Sequence, residues 1–438
     1  MKETMKYKRI ICPEDVTYIL GALKNAGFKA YAVGGCVRDS FMGRTPHDWD
    51  ITTSARPEQV KGLFKRTIDT GLKHGTVTVM LHGTGYEVTT FRIDGKYTDG
   101  RRPDSVSFTD SVIEDLRRRD FTVNAMAYNP DEGIIDPFGG VDDLERGIIK
   151  AVGSPLERFS EDALRIMRAF RFSAQFGFRI DPDTLAAAGS LAKNLDMISA
   201  ERISSEFNKI LLSGNPEIIA DMYHAGVTQY FLPEFDGCME TVVDGKNMGE
   251  YAVSVMKNVK PDRVMRNAAL FFVFGVPKAG TPDEIPRRSV NTARDVMKRL
   301  RYDNNTIHGV EDVIRICRAG NELTAPEVRR MLSVVGTPTF ERFIELLTAE
   351  AGTHKSGEKE RLLENIAKTR DVYIDVTVKN HDCVSLHDLA VSGNDIKAMG
   401  IEGKDVGRIL RSMFDDVLDS PEHNTKKYLM GRYMPACH

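Results

Sequence analysis

Apolar and polar positions change rhythm partway along the chain. Through residue 150 the pattern mixes two periods. A helical stretch over residues 13–26 leads into KAYAVGG, an apolar strand ending in glycines. DWDITTS alternates, as does TVTVMLH, which turns through Gly83-Thr84-Gly85 into YEVTTFR. That pair predicts a β-hairpin. FTVNAMAYNP and GIIDPF supply further strand or turn. From Arg158 the period lengthens: Leu164, Met167, Phe170 and Ala174 recur every three to four residues, and strand signals fade. Breaks at SGNPE (213–217), VPKAGTPDEIPRR (276–288) and TAEAGTHKSGEKE (348–359) divide the remainder. The prediction is an α+β chain, with an α/β head over 1–150 and an elongated helical remainder in pieces 151–213, 214–347 and 348–438.

Composition narrows this picture little. The 438 residues are 28% charged and 41% hydrophobic, ordinary for a soluble protein with more than one core. Six scattered cysteines without CxxC spacing argue against a disulfide framework or a zinc site and fit a reducing compartment. The first sixteen residues hold no apolar core of signal-peptide length, and AALFFVFGV (268–276) is too short to cross a bilayer. A cytoplasmic protein without membrane contact is expected. Net charge is −3, from 60 basic and 63 acidic side chains. A nucleic-acid partner would therefore be met by local patches such as Arg117-Arg118-Arg119 or Arg165, Arg168 and Arg171.

Candidate chemistry concentrates in GGCVRDSFMGRTPHDWDI, residues 34–51. Asp48 and Asp50 stand at i and i+2, so a strand would point both to one face, roughly 6–7 Å apart. Unneutralised, the pair raises its own pKa values. With Mg²⁺ it supplies the hard oxygens that the ion wants beside water and phosphate. Two metals held this way can activate a hydroxyl and neutralise a leaving pyrophosphate. Glu87, on the outgoing hairpin strand, is a candidate third carboxylate. Gly34-Gly35 followed by a helical CVRDSFMG lets backbone N–H groups approach an anion, and Arg38 can donate to phosphate oxygens. There is no GxGxxG and no GK[ST]. The parts ask for a nucleoside triphosphate, with amides and Arg38 on the β/γ-phosphates and Asp48 and Asp50, through metal, on the α-phosphate.

That stretch resembles the signature of polymerase-β-type nucleotidyltransferases, in the branch of class II tRNA nucleotidyltransferases (CCA-adding enzymes) and bacterial poly(A) polymerases. DGKYTDGRRPDSVSF (94–108) resembles the family's flexible loop, and RRDFTVNAMAYN (118–129) and DPFGGVDDLERGIIKAVG (136–153) its next blocks. RFSEDALRIMRAFRFSAQFGF (158–178) resembles the nucleotide-selecting helix, and ERISSEFNKIL (201–211) the block that closes the neck. The resemblance implies a catalytic head, a nucleotide-selecting neck, a body and a tRNA-binding tail over the four segments above. It implies Mg²⁺-dependent addition of C, C and A to the 3′ end of tRNA from CTP and ATP, with no nucleic-acid template and no protein partner. By motif, Gly35 and Arg38 would bind the triphosphate, Asp48 and Asp50 the metals, and Arg119 the nucleotide. Asp162, Arg165, Arg168 and Arg171 would line its pocket. The loop is associated in the family with the final A addition.

EDALRIMRAFR predicts Asp162 and Arg165 as neighbours on one helix face, with Glu161 four residues before Arg165. A ladder of intrahelical ion pairs is one reading. The other is chemical: cytosine and adenine each present an amine donor beside a ring-nitrogen acceptor, and uracil and guanine the reverse. An Asp that only accepts and an Arg that only donates suit C and A, and leave U and G with unsatisfied groups at about 1–3 kcal/mol each. NAALFFVFGVPKAG resembles a segment that carries a His-Asp metal-phosphohydrolase motif in some relatives, with Phe272 and Val273 in place of the pair; no phosphatase activity is expected there. His381-Asp382 and His387-Asp388 read as surface residues or caps. The competing functions are a poly(A) polymerase, an A-only tRNA nucleotidyltransferase, and a non-catalytic RNA-binding protein on the same fold.

Overall fold

The computed structural model describes residues 9–95, 105–278, 281, 284–317 and 322–433. It divides into two compact units, Met1–Asp236 and Gly237–His438.

The first unit opens with α1 (Glu14–Asn25), which runs into β1 (Ala30–Val33), a strand buried at every residue. Then come α2 (Gly35–Phe41), β2 (Asp50–Thr53), α3 (Pro57–Leu63) and β3 (Thr67–Gly71). The hairpin is β4 (Thr76–Leu81) and β5 (Thr84–Thr90). Its turn is His82-Gly83, both at positive φ (48° and 85°), one residue earlier than the glycine pattern suggested. Those dihedral signs match the tight turn that follows the twist of two antiparallel strands. Next are β6 (Arg92–Asp94), β7 (Val106–Phe108), α4 (Val112–Arg117), β8 (Ala127–Asn129) and β9 (Gly133–Ile135). Seven strands form one sheet in the order β3-β4-β5-β2-β1-β8-β9. Only β2 and β5 run parallel, with Ile51 opposite Val88. Residues 96–104, most of the expected flexible loop, lie outside the described residues.

Helices then take over: α5 (Gly140–Arg146), the short β10 (Ile148–Ile149), α6 (Pro155–Glu161) and α7 (Leu164–Phe176). After β11 (Arg179–Ile180), which pairs with β10, come α8 (Pro182–Ser190), α9 (Ala200–Leu211), α10 (Ile218–His224) and α11 (Pro233–Met239). The helix expected through EDALRIMRAFR is broken. Asp162 sits between α6 and α7 in extended backbone (φ −143°, ψ 104°), and its carboxylate accepts the Leu164 N–H at 3.0 Å. A short acceptor that caps the next helix competes with continuing the last one. Asp162 and Arg165 are therefore not neighbours on one helical face.

The second unit is helical apart from the ribbon β12 (Val242–Val243) and β13 (Lys246–Asn247). It holds α12 (Met248–Asn258), α13 (Arg263–Phe271), α14 (Ile285–Arg299), α15 (Asn304–Ile316), α16 (Ala325–Ala351), α17 (Ser356–Ile374), α18 (Gly393–Lys397), α19 (Lys404–Asp419) and α20 (Lys426–Tyr433). Gly336 (φ 73°, ψ 169°) kinks α16. Val273 is buried and the Phe272 ring packs on Tyr251. Asp388 caps its own turn through the Ser385 N–H at 2.9 Å, but Asp382 is not a surface residue. Its side chain is only 6% exposed and accepts from Arg329 at 2.8 Å, while the same guanidinium donates to the carbonyls of Leu418 (2.6 Å) and Asp419 (3.2 Å). Among the described residues no helix is long and apolar enough to cross a membrane.

Candidate active site

The C-terminal end of β1 passes through Gly34 into α2. Gly34 has φ 79°, and a Cβ there would stand 2.9 Å from Nη1 of Arg119. The backbone conformation calls for glycine at this position, and a Cβ would in addition push the Arg119 guanidinium aside. Gly35 is less constrained, since a Cβ would meet only Arg38 Nη2 at 3.6 Å. Arg38 is buried at 9% exposure. Its Nε and Nη2 donate to Asp39 Oδ1 at 2.9 and 2.8 Å, and its Nη1 donates to Asn124 Oδ1.

Asp50 is the first residue of β2, and Asp48 lies just before the strand rather than in it. The parallel register carries Asp50 to the level of Glu87 on β5, and all three residues are exposed. The Asp50 carboxyl is raised by lost hydration; Arg119 opposes this and Asp48 adds to it. Glu87 is raised by lost hydration and then by Asp50 and Asp48. The three thus feel one another as like charges. Among the described residues no three His, Cys, Asp or Glu side chains close into a metal cage. An open set of hard oxygens fits a cation that keeps part of its water and takes further ligands from a phosphate.

Behind the carboxylates stands Arg119, with Asp115 Oδ2 at 3.6 Å from its Nη2. Burial lowers the pKa of Arg119. Asp115 is itself buried; burial would raise its carboxyl, but Arg118 and Arg119 hold it below the ordinary range.

α7 closes the far side. Arg168 donates from Nε to Asp120 Oδ2 at 2.7 Å, and Asn124 Nδ2 donates to Asp120 Oδ1 at 3.1 Å. Burial alone would raise the Asp120 carboxyl, yet Arg168 and Asn124 hold it at about 2. Arg171 pairs with Glu206 of α9 at 2.9 Å. Burial and then the charge of Arg168 bring its pKa down to about 10. The guanidinium carbons of Arg171, Arg168 and Arg38 lie 4.0, 5.3 and 5.4 Å from the centre of the Phe172 ring. Phe176 stacks on Phe172 at 5.6 Å and faces Arg38 at 4.8 Å and the exposed Arg44 at 5.2 Å. Such ring faces hold cations without neutralising them.

Asp162 accepts from Arg202 Nη2 at 2.9 Å. Arg165 is spent on Glu161 (2.5 Å) and the carbonyls of Arg158 and Arg118 (both 3.1 Å). The intrahelical ion-pair ladder is thus realised as Glu161–Arg165 across the break, while Asp162 turns to α9.

Residue-type spacing did not single out Asp39, Arg44, Asp115, Asp120, Asn124, Phe172, Phe176 or Arg202. Asp115 aside, they stand inside the quoted motifs, so the signal was available; their partners were not. What the arrangement offers is a cationic wall of Arg38, Arg119, Arg168 and Arg171 facing an exposed carboxylate set.

Residues 30–150 match the family model described as the poly A polymerase head domain, and residues 177–239 the one described as the probable RNA and SrmB-binding site of polymerase A. A CCA-adding enzyme of Leuconostoc mesenteroides is 57% identical over 198 residues, 45% of this chain and 49% of that protein. In that match the chain spans about half the length of the relative. The CCA-adding enzyme of Pediococcus pentosaceus is 35% identical over 403 residues, 91% of this chain and 92% of the other. Among solved structures, the Bacillus stearothermophilus CCA-adding enzyme in complex with CTP is similar at TM-score 0.72 and 31% identity. That similarity covers 96% of this chain and 98% of that one.

Proposed function

This chain belongs to the CCA-adding enzyme family, and on that premise we propose that it adds C, C and A to the 3′ end of tRNA from CTP and ATP without a template. The 3′ hydroxyl oxygen of tRNA bonds to the α-phosphorus, the bond to the β-phosphate oxygen breaks, and pyrophosphate leaves. One observation carries the reading: Asp50 stands level with Glu87 across β2 and β5 and faces Arg119, in a chain related along most of its length to CCA-adding enzymes.

The family uses a divalent metal; Mg²⁺ is the ion we assign, held by Asp48 and Asp50 with Glu87 beside them. Bound there, it would supply Lewis-acid activation of the hydroxyl and charge for the departing phosphates. Gly35 and Arg38 hold the triphosphate. Arg119 offsets the carboxylates while keeping donors toward the nucleotide. Asp162 and Arg165 read the base edge by exchanging Arg202 and Glu161 for the base, and Arg168 and Arg171 shape the pocket wall. The catalytic part is residues 1–150, the selecting part 151–213, and 214–347 and 348–438 grip the acceptor end and elbow of the tRNA. The compartment is the cytoplasm.

The test uses tRNA lacking its 3′ end, tRNA ending in C and tRNA ending in CC, each with CTP, ATP or both, and products sized to one nucleotide. A stop after CCA supports the reading. Long A tails, A addition to the CC substrate alone, or no product would each overturn it. Asp162→Ala should narrow the preference for CTP over UTP by roughly 10–100-fold; an unchanged preference removes Asp162 from base reading.

A further inference from the structure

Asn124 and Asp120 join two groups that lie far apart in sequence. Arg38, on α2, carries the charge assigned to the triphosphate. Arg168, on α7, lies 48 residues beyond Asp120, and Arg38 lies 86 residues before Asn124. The path is continuous: Arg168 donates to Asp120 Oδ2, Asn124 Nδ2 donates to Asp120 Oδ1 at 3.1 Å, and Arg38 Nη1 donates to Asn124 Oδ1. Asp120 and Asn124 are both buried, at 8% and 6% exposure.

The residue types follow from what each end can do. An arginine offers only donors and a carboxylate only acceptors, so a bridge between Arg38 and Asp120 needs one acceptor and one donor. A side-chain amide has both. A carboxylate at 124 would face Asp120 with like charge, and an aliphatic residue would leave a donor of Arg38 and a lone pair of Asp120 buried and unpaired. A direct Arg38–Asp120 pair would satisfy the atoms but set a second carboxylate, after Asp39, against the charge meant for phosphate. The amide fixes the guanidinium and leaves its charge in place. Phe172 and Phe176 hold the same group from its other side without neutralising it.

We propose that Asn124, seated on Asp120, is a positioning residue that aims Arg38 at the triphosphate and ties that aim to helix α7. This deepens the function proposed above and rests on its assignment of Arg38 to the triphosphate. Its consequence is specific. Loss of Asn124 weakens the grip on the phosphate tail of CTP and ATP alike, and does so only through Arg38.

The experiment is calorimetric titration of the full chain with inorganic tripolyphosphate, which needs no turnover and no base. Four proteins are compared: the unaltered chain, Asn124→Ala, Arg38→Ala and the double variant, each with its melting temperature. Asn124→Ala should weaken tripolyphosphate roughly 10-fold, the scale of one hydrogen bond to a charged group. In the Arg38→Ala background the same change should do less than about twofold more, because the two act in series. Should Asn124→Ala not fold, Asn124→Ser, too short to bridge both partners, is read the same way. Equal losses in both backgrounds would overturn the proposal, since they mark a general loosening. An unaltered affinity in the single Asn124 variant would also overturn it. If Arg38→Ala itself leaves tripolyphosphate binding untouched, the triphosphate assignment falls and the relay with it; a response to Arg38→Ala alone faults only the relay.

Discussion

Asp50, at the start of β2, and Glu87, midway along β5, lie exposed with their carboxyls pushed up, whereas Asp115 and Asp120 are buried in the same unit with theirs held down. Burial by itself would produce the opposite ranking. Lost hydration is the first cause of the rise at Asp50 and Glu87 and acts on the buried pair too; what differs is whether partners offset it. Asp120 has Arg168 and Asn124, and Asp115 has Arg118 and Arg119; Asp50 and Glu87 have each other, Asp48 and the partial help of Arg119. A chain that satisfies its buried carboxylates and leaves exposed ones in mutual repulsion has reserved the second group for something that arrives from outside.

The sharpest way to break this contrast is to remove the repelling set. Asp48→Ala with Asp50→Ala should lower nucleotide incorporation by roughly 10³-fold or more while the melting temperature stays the same or rises. Retained incorporation would unseat the metal assignment, and a collapsed melting curve would place the pair in the structural group instead. Next in size is Asp120→Ala, which leaves Arg168 without its carboxylate. Unfolding in urea should show a loss of about 3 kcal/mol, and a loss near zero would mean that Arg168 finds water.

The smallest effect is the pH dependence, and its sign separates the two sets. In metal-free buffer Asp120 contributes stability that is present above its unfolded value of 3.8 and lost as pH falls toward about 2. Asp50 and Glu87 run the other way, because their folded values lie above the unfolded ones. Their contribution is present below the unfolded carboxylate range and lost as pH rises through the raised values. Asp50→Asn should therefore flatten the decline on the rising side, leaving the variant the more stable at neutral pH. Urea unfolding of both proteins across a pH series measures it.

The repelling set was legible in the sequence because its parts are local. Asp48 and Asp50 are two residues apart, and the hairpin that brings Glu87 alongside is announced by alternation. The helical register of α7 was legible for the same reason. What spacing could not reach was competition and distance. Asp162 has the spacing of a helical neighbour of Arg165, but its carboxylate is better satisfied capping α7 and pairing with Arg202, 40 residues on. Asn124 reads as an ordinary strand-edge residue until Arg38 is placed against it. Asp382 looked like part of a surface His-Asp pair because nothing nearby in sequence shows that Arg329 needs it.

That last contact bears on the order in which the molecule is made. The three acceptors on the Arg329 guanidinium come 53, 89 and 90 residues after it. At roughly 5–20 residues per second, a nascent chain carries that charge for several seconds before its partners emerge. Until then α16 has a cation on a face that is otherwise bound for an apolar interior, and closing that face early would strand it. The first unit carries a similar debt but settles it earlier in synthesis: Arg38 waits 86 residues for Asn124 and Asp120 waits 48 for Arg168, and both pairs, with Glu206, have been made before residue 237. A chain stalled in that interval would hold a finished arginine–carboxylate network in its first unit and, in its second, a helical segment still waiting for its last turn.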